Sequence, residues 1–120
     1  MTLAAGASTR VRVCALSDLE VERGRAALFG EVQIALFLLA DGSVHAVSNL
    51  DPYSGAHVMS RGIVGTRGDA PTVASPMHKQ VFDLRSGVCI DTQGKDAVAL
   101  RVWGVSVTDG QVELDIEENR

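Results

Sequence analysis

The chain has 120 residues, with 11 basic and 15 acidic side chains and a formal net charge of −4. That length supports one domain around a single core, and the acidic balance argues against a nucleic-acid partner, because phosphate binding needs a basic face. The longest apolar run, Val32 to Ala40, is interrupted by Gln33 and falls well short of a membrane span.

The start, Met1 to Thr9, has no charged segment leading into a long apolar block, so residues 1–9 read as a flexible leader rather than a signal peptide. Val11 to Leu16 reads as a strand with Val11, Val13 and Ala15 on one face. Ser17-Asp18-Leu19-Glu20 follows as one helical turn, with Ser17 or Asp18 as its cap. Arg25 to Phe29 forms a second strand that turns at Gly30. Val32 to Leu39 is apolar on both faces, as expected of a central strand covered on each side. Asp41-Gly42 is the strongest local signal, a two-residue hairpin turn leading into Val44 to Val47. A second hairpin turns at Ser86-Gly87 and a third at Asp109-Gly110, whose arms alternate apolar and polar residues. Three hairpins predict an all-β fold, an antiparallel sandwich or barrel, over residues 10–117, with a frayed polar tail over 118–120. Cys14 and Cys89 lie in two separate apolar segments; without export signals they read as buried free thiols of a cytoplasmic protein. Trp103 reads as a core or edge anchor.

Two loops stand apart from this pattern, Asn49-Leu50-Asp51-Pro52-Tyr53-Ser54-Gly55 and Ser75-Pro76-Met77-His78-Lys79-Gln80. Each opens on a pair of polar residues, spaced i, i+2 in the first and i, i+3 in the second. The same paired spacing holds a Rieske centre, where Cys-x-His and Cys-x-x-His loops face each other across a [2Fe–2S] cluster. Here the four positions are Asn49, Asp51, Ser75 and His78, so three of the four ligand types are missing. Amide, carboxylate and hydroxyl oxygens do not replace soft thiolates, and Cys14 and Cys89 sit inside strands away from both loops. No cluster, metal or other cofactor is therefore expected on this chain, despite its Rieske-like scaffold.

Asp51 before Pro52 suits a turn in which the carboxylate bonds N–H groups two residues on, and Asn49 can do likewise. Side-chain-to-backbone bonds would then hold the loops in place of metal. His78 reads either as a proton donor or partner contact, or as a hydrogen-bonded loop histidine; without a second catalytic group the plainer reading is favoured. His45 is expected to face solvent or a sheet edge, and His57 the surface. In the segment Arg61 to Pro71, Gly62, Gly65 and Gly68 recur every third residue with Arg61 and Arg67 between them. This is either an anion-binding loop or a surface excursion between strands, and no strand–glycine–helix context supports the first. No catalytic constellation stands out.

Several strings go further. Asp41-Gly42-Ser43 with Val44-His45-Ala46-Val47, Asp51-Pro52-Tyr53-Ser54-Gly55-Ala56, Ser60-Arg61-Gly62-Ile63-Val64-Gly65 with Arg67-Gly68, and Ala74-Ser75-Pro76 with Lys79-Gln80 and Phe82-Asp83-Leu84 resemble the small subunit of the NAD(P)H-dependent assimilatory nitrite reductase. The resemblance takes in Val13-Cys14-Ala15-Leu16 as well, and stops short of both ends. It implies a Rieske-like fold whose ligand positions are lost, and a cytoplasmic two-component enzyme. In that enzyme the large catalytic subunit carries FAD, an iron–sulfur cluster and sirohaem, and reduces nitrite to ammonium in nitrate assimilation. The small subunit would bring no redox centre or active site of its own. Its docking surface would be the two loops with the Arg61–Pro71 excursion, through Tyr53, Met77, His78, Lys79, Arg61 and Arg67. Two alternatives are a Rieske-type ferredoxin, which would need Cys at 49 and 75 and His at 51, and a stand-alone β-sandwich that binds a small anion. No nucleic-acid or membrane partner is expected.

Overall fold

The computed structural model describes residues 8–117 and is built almost wholly of strands. In chain order these are β1 (Ser8–Ala15), β2 (Arg25–Phe29), β3 (Val32–Leu38), β4 (Val44–Ser48), β5 (Ile63–Arg67), β6 (Ala70–Ala74), β7 (Val81–Asp83), β8 (Cys89–Asp91), β9 (Val102–Thr108) and β10 (Gln111–Glu117). They form an antiparallel six-stranded sheet in the order β1-β10-β9-β4-β3-β2 and a four-stranded sheet in the order β5-β6-β7-β8. The larger sheet curls until β1 comes back against β2. Among the described residues no helix is long and apolar enough to cross a membrane.

β3 shows why Val32 to Leu39 is apolar on both faces. Ala35, Phe37 and Leu39 pack with Val47, Met59, Val73, Phe82, Leu84 and Leu100 in a core between the two sheets. Ile34 and Leu36 point the other way, into a second core with Cys14, Leu19, Ala46, Val112 and Leu114 inside the curl of the larger sheet. One strand thus serves two cores, and Ile34 to Phe37 are fully buried.

The three hairpins form where the turn signals place them, but the first closes through residues 39–43, with Leu38 opposite Val44, and not through the two-residue turn expected at Asp41-Gly42. Gly42 and Gly87 have positive φ, as do Asp109 and Gly110 together, the backbone signature of a type I′ turn. Other details differ from the sequence reading. β1 begins at Ser8, two residues inside the expected leader; the rest of that leader, 1–7, and the tail 118–120 lie outside the described residues. A bulge between Arg12 and Cys14 turns the strand, so Cys14 rather than the Val11–Val13–Ala15 face supplies the fully buried position. The helical turn spans Leu16–Asp18, and Asp18 acts from its last position, accepting the Ala15 N–H at 3.1 Å. β4 is interior to its sheet, and His45 is half-buried on it beside Ser43, at 3.1 Å from Oγ, rather than at an edge. Burial lowers the His45 pKa, against the pull of Asp41 and Asp83.

The largest difference lies in Arg61 to Pro71, which is no irregular excursion. A single 3₁₀ turn, Met59–Arg61, leads into a regular β5–β6 hairpin with Ile63 opposite Ala74 and Arg67 opposite Ala70. Gly62 and Gly68 have local causes, while a side chain at Gly65 would meet only ordinary contact with Thr72. A Cβ at Gly62 would stand 2.6 Å from both Ala74 O and Val73 Cγ2, and Gly68 makes the turn with φ +63°.

Candidate functional site

Both loops leave the same end of the molecule. Loop 1 follows β4 and runs from Asn49 to Val58; loop 2 joins β6 to β7 and runs from Ser75 to Gln80. Each closes on its own backbone. In loop 1 the Asp51 N–H bonds Ala56 O at 2.8 Å, the Gly55 N–H bonds Asp51 O at 2.8 Å, and Leu50 pairs with His57. In loop 2 the Ser75 N–H bonds Gln80 O at 2.9 Å and the Lys79 N–H bonds Ser75 O at 3.1 Å, with Lys79 at φ 66°.

The two loops are then joined to each other. Ser75 Oγ donates to Asp51 Oδ2 at 2.5 Å, and both side chains are buried. The other Asp51 oxygen, Oδ1, accepts the Tyr53 N–H at 2.8 Å and the Ser54 N–H at 3.4 Å. Ser75 Oγ in turn accepts the Met77 N–H at 3.1 Å. Burial pulls the Asp51 pKa up, but hydrogen bonds from Ser75, Tyr53 and Ser54 outweigh it and hold the carboxyl below its ordinary value. Asp51 therefore makes the bond two residues on that its sequence suggests, and adds a cross-loop bond 24 residues away.

Asn49 works differently from expectation. Its Oδ1 accepts the Ser60 N–H at 2.7 Å and its Nδ2 donates to Gln33 Oε1 at 3.1 Å. It pins loop 1 to β3 and to the turn that starts the β5–β6 hairpin, instead of bonding its own loop. Gln33, absent from the sequence candidates, is thus part of the arrangement; its one signal was a polar residue interrupting an apolar run. Tyr53 is half-buried, packs against the inter-sheet core and meets the Phe82 ring with centroids 6.1 Å apart. Its hydroxyl donates to Asp96 O at 2.7 Å and accepts the Val98 N–H at 3.0 Å, so it clamps the 96–98 segment. His78 is exposed and makes no side-chain hydrogen bond among the described residues, unlike the bonded loop histidine the sequence suggests. Met77, Lys79, Arg61 and Arg67 are also exposed. Gln80 is fully buried, with neither amide atom hydrogen-bonded among the described residues.

The donor set does not fit a [2Fe–2S] cluster. Asp51 and Ser75 are engaged with one another, the Asn49 amide is engaged with Gln33 and Ser60, and all three lack the thiolate or imidazole that iron–sulfur ligation takes. Cys14 lies on β1 and Cys89 on β8, outside both loops. The buried Asp51–Ser75 hydrogen bond joins the two loops directly.

The family model for a Rieske-like [2Fe-2S] domain matches residues 9–115. The nitrite reductase (NADH) small subunit of Escherichia coli is 34% identical over 103 residues, covering 85% of this chain and 93% of that protein. This chain belongs to the nitrite reductase small-subunit family of Rieske-like domains. A solved structure of an NADH-dependent nitrite reductase small subunit from Mycobacterium tuberculosis is 45% identical to this family member, with a TM-score of 0.82, covering 91% of this chain and 96% of that one. A third relative is a nitrite reductase [NAD(P)H] large subunit from Klebsiella oxytoca, 44% identical over 100 residues. That match takes in 83% of this chain but only 10% of the large subunit, so this small-subunit domain spans about a tenth of its length.

Proposed function

We propose that this chain is the non-redox small subunit of an NAD(P)H-dependent nitrite reductase, an accessory piece that docks on a large catalytic subunit reducing nitrite to ammonium in the cytoplasm. The observation that carries the reading is the Asp51–Ser75 bond at 2.5 Å. Evolution of a Rieske-like scaffold into one that holds its loops by a buried hydrogen bond leaves the shape and removes the electron carrier. Redox chemistry then belongs to the partner, whose FAD, iron–sulfur cluster and sirohaem would supply it. This chain's own residues would orient and stabilise that partner.

The Klebsiella relative supports the choice of partner. There a stretch 44% identical to this chain is part of a large-subunit polypeptide, so the same domain and the catalytic apparatus occur on one chain. Covalent linkage raises the effective concentration of two modules that work in contact, and separate subunits must reach that contact through a complementary surface. The ferredoxin alternative has no support in the donor set. The anion-binding alternative loses its motivation, because Gly62 and Gly68 have steric causes within a hairpin.

Coexpression with the large subunit tests the proposal. The two chains are expected to copurify, the isolated small subunit is expected to be colourless and free of stoichiometric iron and sulfide, and nitrite reduction is expected to fall when this chain is omitted. Stoichiometric iron and sulfide on the isolated chain would overturn the reading.

A further inference from the structure

The molecule is acidic overall, at −4, yet its two-loop end is not. Residues 49–63 and 75–80, which form that end, together contain one carboxylate, Asp51, and it is buried and bonded internally. The same stretches carry Arg61 and Lys79, with His57 and His78, all exposed. Among the described residues neither Arg61 nor Lys79 has a carboxylate within ion-pair distance; Arg67, expected on the same surface, lies instead at the far end of β5, where it reaches Asp91 at 3.6 Å.

Apolar side chains lie among these cations. Leu50 is 40% exposed, Met77 49% and Ile63 68%. The Asp51–Ser75 bond joins the two loops that carry the first two, Leu50 beside Asp51 and Met77 two residues past Ser75. Ile63 stands opposite Ala74, the residue before Ser75. A groove of about 340 Å³ opens beside loop 1, lined by Leu50, Pro52, Trp103 and Arg101, with Glu31 its one carboxylate. Apolar residues set among cations with no partners are the composition of a protein–protein interface, and unpaired charge on such a face steers and selects a partner of opposite sign.

We infer that this end is the docking face for the large subunit, and that the surface it meets there is acidic around an apolar centre. The inference rests on the small-subunit reading and adds the chemistry of the contact. A second copy of this chain fits poorly as the occupant, because a two-fold contact would set Arg61 and Lys79 against the same cations.

Binding of the full chain to the intact large subunit, titrated at low and moderate salt, tests the inference. The wild-type chain is expected to bind more weakly as salt rises. The double variant Arg61→Glu, Lys79→Glu is expected to lose affinity by about tenfold or more and most of the salt dependence. Leu50→Ser with Met77→Ser is expected to lose about tenfold while keeping the salt dependence. Arg12→Glu, on β1, is expected to bind within about twofold of wild type. Unchanged thermal melting of each variant separates lost docking from lost folding. If the charge-reversed variant binds as wild type does, the face assignment falls and the small-subunit reading stands. If the wild-type chain does not bind the large subunit, both fall. A wild-type dimer that Leu50→Ser, Met77→Ser dissociates would assign the face to self-association and overturn the inference.

Discussion

The floor and the tips of the two loops differ in almost every physical respect. At the floor, Asn49, Asp51 and Ser75 are at most 3% exposed and every one of them bonds another segment: Asn49 to β3 and the 3₁₀ turn, Asp51 to loop 2, Ser75 to loop 1. At the tips, Leu50, Met77, His78 and Lys79 are exposed, and none of their side chains is bonded among the described residues. The tertiary structure therefore keeps a tight hold on Asn49, Asp51 and Ser75, and leaves the His78 side chain unattached among the described residues. A selected metal site would show the reverse, since ligating imidazoles are oriented by a second hydrogen bond. What the bonds hold is the geometry of the loops, and the groups they carry outward are exposed apolar and basic side chains.

Removing the Asp51 carboxylate should break this contrast most severely. Asp51→Ala leaves the buried Ser75 hydroxyl and two loop N–H groups without their acceptor, and unsatisfied buried donors cost about 1–3 kcal/mol apiece. A loss of about 3 kcal/mol in urea denaturation at pH 7 is expected. Asp51→Asn, which keeps an acceptor, should lose less and should also change the response to acid. The folded-state pKa of Asp51 lies below its ordinary value, through the Ser75 and backbone bonds that overcome burial. Its stabilising contribution is thus complete above the unfolded pKa near about 4 and is lost as the pH falls through the folded value. The wild-type chain should lose more stability between neutral pH and pH ~3 than Asp51→Asn does; parallel curves would remove Asp51 from the role given to it here.

How much of this was readable beforehand follows from the range of the interactions. The turns at Asp41-Gly42 and Asp109-Gly110 are written in adjacent residues, because positive φ is a local demand. The two-faced character of β3 is likewise visible in one apolar run. The β5–β6 hairpin was hidden: glycines and Pro71 weaken its strand signal, and the reason for Gly62 lies across the ladder at Val73 and Ala74. At the site, loop spacing and the local bond of Asp51 to the Tyr53 N–H were legible. The Asp51–Ser75 and Asn49–Gln33 bonds were not, since each joins residues that only the finished fold brings together.

Gln80 offers a smaller test at the floor. Its amide is fully buried without a hydrogen-bond partner among the described residues, in contrast to the satisfied side chains beside it. Gln80→Met keeps the length of the side chain and removes the unpaired polar atoms, and it should raise stability by about 1 kcal/mol. A loss of similar size would mean that the amide is bonded in solution.

The smallest effect is expected at the tip. His78→Ala removes an exposed imidazole that bonds nothing among the described residues, and exposed substitutions of this kind change stability by no more than about 0.5 kcal/mol. Denaturation curves of His78→Ala and wild type should superimpose within that margin. A wider gap between them would show that the His78 side chain is bonded to the folded loops. The floor would then extend to His78, and the division drawn between a bonded base and an unattached tip would need redrawing around loop 2.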